Sequence, residues 1–141
     1  MVQFYFLSIV ANLIGGLALS SGYLDQRFSG MSGVKEFFES RPGIRVTIGI
    51  VSVIVGVLKL LSVTAGDVPV VGDLIPALSG LIVGVALLFE RYKEKSTIPS
   101  ETQGSALNAV DRILIKNKTL LGSLAMIIGL LHFLLPRVLF L

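Results

Sequence analysis

Two basic side chains lie within long apolar stretches of the sequence: Lys59 and His132. Each stands 14 residues after another cation, Arg45 for the first and Lys118 for the second. In a helix that rises 1.5 Å per residue, this separation is about 21 Å of a hydrocarbon layer about 30 Å thick. Both side chains are therefore expected in the outer third of that layer. A charge costs about 2.5–3.5 kcal/mol at the centre of a membrane helix and less near its edge, so both are candidates for function.

Asp73 and Asn12 complete the set of candidate polar residues for a pathway or binding site. If Lys59, His132 and Asp73 face one another, they could bind an anion or relay a proton, because histidine titrates near neutral pH. The alternative is structural: Lys59 extends to the surface and pairs with Asp67 or Asp73, and neutral His132 donates a hydrogen bond. Asn12 would then hydrogen-bond a neighbouring helix, and lining a pore is the other role open to it.

The sequence has no pattern of an established catalytic site. It contains no H-E-x-x-H, no Walker loop and no G-x-S-x-G. With one histidine and no cysteine, it offers little material for a metal site. No nucleic-acid-binding signature is present either. We therefore expect a protein that is not an enzyme, with no catalytic or metal-binding residues, no cofactor and no nucleic-acid partner.

The composition predicts an integral membrane protein. Hydrophobic residues make up 53% of the 141 residues and charged residues only 15%, against about 25% charged in soluble domains. A soluble domain of this size leaves a large share of its surface in water, so it could not hide so much apolar surface. A bilayer removes that difficulty, and the lipid bilayer is therefore the first expected partner.

Four apolar segments are predicted to cross the bilayer as helices: residues 2–24, 44–63, 74–89 and 118–135. The first could instead be a cleaved signal peptide, since Ala18-Leu19-Ser20 resembles a cleavage site. A signal peptide begins with a basic region, and residues 1–24 contain no Lys or Arg. We therefore interpret the first segment as a membrane helix, in a single transmembrane domain that covers residues 1–141.

The loops carry their own helix signals. Ser32 is expected to cap a short helix, with Glu36 reaching back to its first turn and Phe37 and Phe38 entering the headgroup boundary. Pro42 and Gly43 are typical of a stop before the second crossing, and the highly charged stretch 90–95 predicts the abrupt end of the third. Apolar residues at 107, 110, 113 and 114 predict an amphipathic helix over 105–116 on the membrane surface.

The second half of the chain resembles the first. Residues 118–135 align with 45–63 at an offset of 73, and the third segment aligns with the first at an offset of 68. The first alignment pairs Lys59 with His132. The pattern predicts a four-helix bundle of two helical hairpins, residues 2–63 and 73–135, that begin on the same side of the membrane and form a parallel repeat.

Small residues recur along each segment at helical spacing. In lipid, helices associate through close backbone contact and hydrogen bonds more than through burial of apolar surface. These stripes could face one another within one chain, or one of them could face another subunit, which would make the protein a homo-oligomer or a partner of other membrane subunits. The expected packing glycines are Gly16, Gly49, Gly56, Gly80, Gly84, Gly122 and Gly129.

The cations predict the orientation. Residues 25–45 contain four Lys or Arg and residues 90–118 contain six, whereas the connection 64–72 contains none. Since positive residues in short loops stay in the cytosol, both long loops should be cytoplasmic and both termini outside, in the cell (inner) membrane.

Two functions fit these observations. The first is a non-enzymatic scaffold or assembly subunit of a membrane complex, whose glycine stripes and surface helices dock other chains. The alternative is an oligomeric channel or transporter for a small solute or ion, with Lys59, His132, Asp73 and Asn12 lining the path.

Overall fold

The structure, a computed structural model, describes residues 2–61, 74–97 and 104–135. These residues form helices and short connections, with no strand among them, so the predicted all-helical class is confirmed. The elements in chain order are α1 (Val2–Arg27), α2 (Ser32–Ser40), α3 (Pro42–Leu61), α4 (Leu74–Lys95), α5 (Ser105–Val110), a π-helical turn (Asp111–Ile115) and α6 (Lys118–Leu134).

Three of these helices, α1, α3 and α4, are long and apolar enough to cross a membrane. A fourth candidate is the bent unit of residues 105–115 and α6, whose two parts meet at 55°. Length and apolar composition in this part of the chain are thus compatible with three or four membrane-spanning helices.

The long helices pack as two close pairs. α3 makes its most extensive contact with α4, and α1 makes its most extensive contact with α6. Smaller contacts between α1 and α3, α1 and α4, and α4 and α6 join the two pairs into one bundle. The apolar core lies between these helices and α2, and its buried members are Ala18, Leu19, Phe38, Val83, Ala86, Leu87 and Ala125.

Several predicted boundaries were wrong, and α1 runs to Arg27 rather than ending at residue 24. α3 begins at Pro42 rather than after Gly43, because proline lacks only an N–H that the first turn of a helix leaves unused. α4 continues through the charged stretch to Lys95 instead of ending at Phe89. Glu, Arg and Lys are good helix formers, and a change from apolar to charged residues marks a change of surroundings rather than a helix end.

α2 forms over the predicted residues, but not with the predicted cap. Met31 precedes its first turn without a side-chain capping bond, and Ser32 is already helical. Phe37 is exposed, whereas Phe38 is buried in the protein core rather than in a headgroup layer. The reason is that α2 folds back against α1 and α3, so that one aromatic ring fills the space between them.

The helix predicted over residues 105–116 is interrupted. Its α-helical part ends at Val110, and Lys116 N–H then bonds to the carbonyl of Asp111, five residues earlier. The Asp111 carboxylate accepts a bond of 2.5 Å from Lys93 Nζ of α4, which holds this wider turn against the bundle. Asn117 closes the segment by donating to the carbonyls of Arg112 and Ile113 before α6 begins.

Candidate functional sites at the two ends of the bundle

Lys59 and His132 come together around the ring of Tyr5. Lys59 lies on α3, His132 on α6 and Tyr5 on α1, near the same end of the bundle. Lys59 Nζ lies 5.3 Å from the centroid of the Tyr5 ring, a cation–π distance. The Tyr5 and His132 rings have centroids 4.4 Å apart, and the Tyr5 hydroxyl donates to the backbone carbonyl of His132. Three helices therefore meet in one polar cluster, Tyr5–Lys59–His132.

Lys59 and His132 are both buried, with exposed fractions of 2% and 0%. The expected pairing of Lys59 with Asp67 or Asp73 lies outside the described residues, and so does the assignment of Asp73 to the pathway.

Tyr5 was not among the residues expected from the sequence. A tyrosine near the end of an apolar helix combines an apolar ring with a hydroxyl that needs a partner, and this is the signal that points to it. The sequence does not indicate which helix supplies that partner. The partner proves to be α6, 127 positions away in the chain.

Asn12 lies deeper in the bundle and is fully buried. Its Nδ2 donates to the carbonyl of Ser8, one turn earlier, and to the carbonyl of Pro76 on α4, both at 2.9 Å. Asn12 thus joins α1 to α4. Among the described residues, its Oδ1 has no hydrogen-bond partner, and neither has the buried hydroxyl of Ser52 on α3.

These side chains form a polar column inside the bundle. Tyr5, Ser8 and Asn12 share one face of α1, and seven residues of helix correspond to about 10.5 Å. Ser52 stands seven residues before Lys59 on α3, so it lies about as deep. The structure therefore gathers Lys59 and His132 at one end and puts Asn12 about two turns away from them.

Pairs of glycines allow the helix backbones to touch. A Cβ added at Gly84 would lie 2.7 Å from the carbonyl oxygen of Gly49, and one at Gly122 would lie 2.7 Å from that of Gly16. Distances under 3.0 Å to a backbone atom leave no room for a side chain. α3 and α4 therefore meet at one glycine pair, and α1 and α6 meet at another.

The remaining packing glycines differ in what they face. A Cβ on Gly56 would lie 2.8 Å from the Leu81 side chain and 2.9 Å from the carbonyl oxygen of Ala77, so no side chain fits there either. A Cβ on Gly129 would meet the side chains of Asn12 and Leu13 at 3.1 Å. Gly80 differs, because the nearest atom to its Cβ would be 3.6 Å away, an ordinary contact. A methyl group would therefore fit at position 80 beside Asn12, so the packing there does not require glycine.

The opposite end of the bundle carries a half-buried carboxylate between two cations. Glu90 of α4 accepts from Arg45 Nη2 of α3 and, at 2.7 Å, from Lys118 Nζ of α6. The Glu90 side chain is 13% exposed and that of Arg45 is 15% exposed, so solvent screens this pair only in part. Arg45 Nη2 also donates to the carbonyl of Ala18 on α1 at 3.5 Å, so all four long helices contribute.

The sequence analysis did not predict that Arg45, Glu90 and Lys118 form one centre, because the sequence shows Glu90 only as a charge at a helix end. The available signal was the matched position of Arg45 and Lys118 in the two similar segments. Among the cavities that border the centre, two are large. One, of about 390 Å³, is lined by Glu90, Arg45 and Lys118 together with Phe38 and Arg91. The other, of about 270 Å³, also includes Arg45 and Lys118 but lies toward α1.

Comparison with known proteins gives a family but no established activity. A family model matches residues 1–132, and the function of that family is not established. The chain belongs to this family. A protein of Treponema pallidum (strain Nichols), described as an uncharacterized protein, is 29% identical over 141 residues, which is the full length of both chains. No solved structure matches.

Proposed function

We propose that the protein is a multi-pass protein of the cell (inner) membrane in which α1, α3, α4 and α6 each cross the bilayer. Large apolar side chains point outward on all four helices, with exposed fractions of 58% for Phe6, 51% for Ile54, 40% for Ile82 and 53% for Ile127. α6 has 17 residues, or about 26 Å of helix, which is close to the thickness of the hydrocarbon layer.

Within that membrane protein, we propose two like-oriented hairpins related by duplication. The two glycine pairs support this. An offset of 73 carries Gly49 onto Gly122, and an offset of 68 carries Gly16 onto Gly84. The contact between Gly49 and Gly84 is thus the counterpart of the contact between Gly122 and Gly16.

Two shallow apolar grooves give independent support for the duplication. One lies between α1 and α3 and has a volume of about 130 Å³, and the other lies between α4 and α6 and has a volume of about 230 Å³. Six lining positions of the first correspond, at the same two offsets, to six of the second. They are Leu7, Val10, Ala11, Ile14, Ile48 and Val51, matched by Ile75, Leu78, Ser79, Ile82, Leu121 and Leu124.

The proposed orientation has the Arg45–Glu90–Lys118 end in the cytosol, since the cation-rich loops attach there. Because the chain has no cysteine, single cysteines report on the side of each loop. Gly33→Cys and Gly104→Cys add side chains where a Cβ meets nothing within 4 Å, and both should react with an impermeant maleimide only after the membrane is opened. Asp67→Cys should react in intact cells. Labelling of Gly33→Cys and Gly104→Cys from opposite sides would overturn the like-oriented hairpins.

The function that the geometry supports best is that of a non-enzymatic scaffold or assembly subunit of a membrane complex. The observation that carries it is how the bundle uses its small and polar residues. The glycine pairs, Asn12, Tyr5 and Glu90 all join helices of the same chain, which leaves outward faces of large apolar side chains. A rigid apolar unit of this kind presents a shape to other membrane chains, either a second copy or a different subunit.

The test is the size of the assembly in its own membrane. Extraction in a mild neutral detergent followed by native electrophoresis should give a species larger than one chain, with the partner identified by cross-linking and mass spectrometry. Recovery of the protein only as a 141-residue monomer, with cross-links to no other chain, would rule out the subunit role.

Transport is the second candidate, and the polar column favours it. Lys59, His132 and Asn12 face the interior of one bundle, so a path would run within a chain rather than between copies, with Asp73 as a further candidate. Protein in liposomes should then conduct chloride or protons, and Lys59→Leu or His132→Leu should abolish the flux while leaving the fold intact. Absence of flux for the unaltered protein removes this candidate.

A further inference from the structure

The two halves of the bundle differ at the carboxylate that Arg45 and Lys118 share. Arg45 and Lys118 correspond at an offset of 73, and both donate to the same carboxylate, Glu90 of α4. At the offset of 68 that relates α4 to α1, the counterpart of Glu90 is Gly22. The repeat proposed above therefore has two equivalent cations and only one of the two carboxylates that a symmetric arrangement would contain.

A cavity lies where the second carboxylate would be. Its volume is about 270 Å³, and Gly22, Arg45 and Lys118 all line it. A Cβ on Gly22 would meet nothing within 4 Å, so the space beside this glycine is open. Polar side chains from α1 and α6 complete the wall: Ser21, Tyr23, Gln26 and Thr119.

Both cations keep donor capacity for a second anion. A lysine ammonium has three N–H groups and an arginine guanidinium has five. Lys118 donates to Glu90 from Nζ, and both described bonds of Arg45, to Glu90 and to Ala18, come from Nη2. Glu39 also lines the cavity, but it is exposed and can turn its carboxylate to solvent.

We propose that a phosphate group binds in the cavity beside Gly22, between Arg45 and Lys118, as the counterpart of Glu90. Arginine and lysine together suit a phosphate because they supply both a planar fork and a compact charge. The volume is near the lower end of small-molecule sites, roughly 300–1,000 Å³, which suits a small headgroup. Basic pockets between helices at the cytoplasmic side are also where anionic lipid headgroups bind.

The experiment uses the purified full chain in neutral detergent, with native mass spectrometry as the readout of bound molecules. One arm titrates phosphatidylglycerol against diacylglycerol, which has no phosphate, and the other titrates inorganic phosphate. Retention of phosphatidylglycerol alone assigns the phosphate to a lipid, and equal binding of inorganic phosphate assigns it to a free anion. Binding of neither above the diacylglycerol background overturns the proposal.

Three variants locate the site. Gly22→Glu restores the missing carboxylate, so it should weaken binding at least tenfold. Gly22→Gln has the same size without the charge and should weaken binding less than threefold. Gly33→Glu makes the same change at another open glycine outside this cavity and should change binding less than twofold. An equal loss in Gly22→Gln and Gly22→Glu, or an unchanged affinity in Gly22→Glu, would contradict recognition of an anion here.

The proposal rests on the repeat, and the results separate the two. Protein whose cysteine labelling gives two like-oriented hairpins, but which binds no phosphate, refutes the anion site alone. Binding that Gly22→Glu abolishes, in a protein whose hairpins prove to be oppositely oriented, keeps the anion site and removes the duplication argument.

Discussion

The two ends of the bundle are held together by different means. At the Arg45–Glu90–Lys118 end, a carboxylate with two cations joins α3, α4 and α6, and glycine pairs bring the backbones into contact nearby. At the Tyr5–Lys59–His132 end, a lysine and a histidine pack against one tyrosine ring. The first end groups two cations around one carboxylate, whereas the described contacts of Lys59 at the second end include an aromatic ring. Segments of similar sequence can therefore pack in the same way and still carry different side-chain chemistry at the two ends of the bundle.

The largest expected loss of stability comes from a substitution at the Arg45–Glu90–Lys118 end. Glu90→Gln removes the charge that Arg45 and Lys118 share, which leaves two cations close together and partly out of water. We expect the free energy of unfolding to fall by at most about 3 kcal/mol, the lower end of the range for losing one partner of a buried ion pair, because the Lys118 side chain is 42% exposed. The measurement is unfolding in mixed micelles with rising dodecyl sulfate.

Glu94→Gln is the matched control for that change. Its pair with Arg91 is exposed and local in the same helix, so the same substitution should cost less than about 1 kcal/mol. Equal losses in the two variants would mean that Glu90 does not hold the helices together, and that the two ends do not differ in the way described.

A smaller effect is expected from a methyl group at the glycine contact. Gly84→Ala places a Cβ 2.7 Å from the carbonyl oxygen of Gly49, so the backbones must separate, at about 1–3 kcal/mol for overpacking. Gly80→Ala adds the same atom one turn away, where the nearest neighbour is at 3.6 Å. There the better helix propensity of alanine should leave stability unchanged or raise it by up to about 1 kcal/mol. Thermal unfolding of both variants in one detergent makes the comparison, and a reversed order would contradict the glycine contact.

The smallest effect concerns the tyrosine end. Tyr5→Phe keeps the ring beside Lys59 and His132 but removes the hydroxyl that donates to the His132 carbonyl. The loss should be about 1 kcal/mol, the net value of one hydrogen bond. Tyr5→Leu should cost more, because it also removes the cation–π and ring contacts. If Tyr5→Leu costs no more than Tyr5→Phe in the same unfolding assay, the ring does not hold that end together.

Much of the fold follows from local patterns. The four apolar segments and the amphipathic α2 are visible in the sequence because hydrophobicity and its period report helix and burial directly. The wrong predictions concern residues that are compatible with two different local structures. Pro42 stops one helix or starts another, and the charged residues 90–95 end an apolar stretch without ending a helix. Local patterns do not distinguish these cases, because the deciding contacts come from distant parts of the chain.

The candidate sites divide in the same way. The sequence by itself determined that Lys59 and His132 occupy matched positions, that Arg45 and Lys118 do so too, and that glycines recur on each long helix. These follow from the spacing of residues, because in a helix the spacing fixes which side a residue lies on and how far along the axis it lies. Only the tertiary structure decided that Tyr5 lies between Lys59 and His132, that Asn12 reaches Pro76, and that Glu90 serves both cations. Each of those contacts joins different helices, and the choice of neighbour depends on how the whole bundle packs.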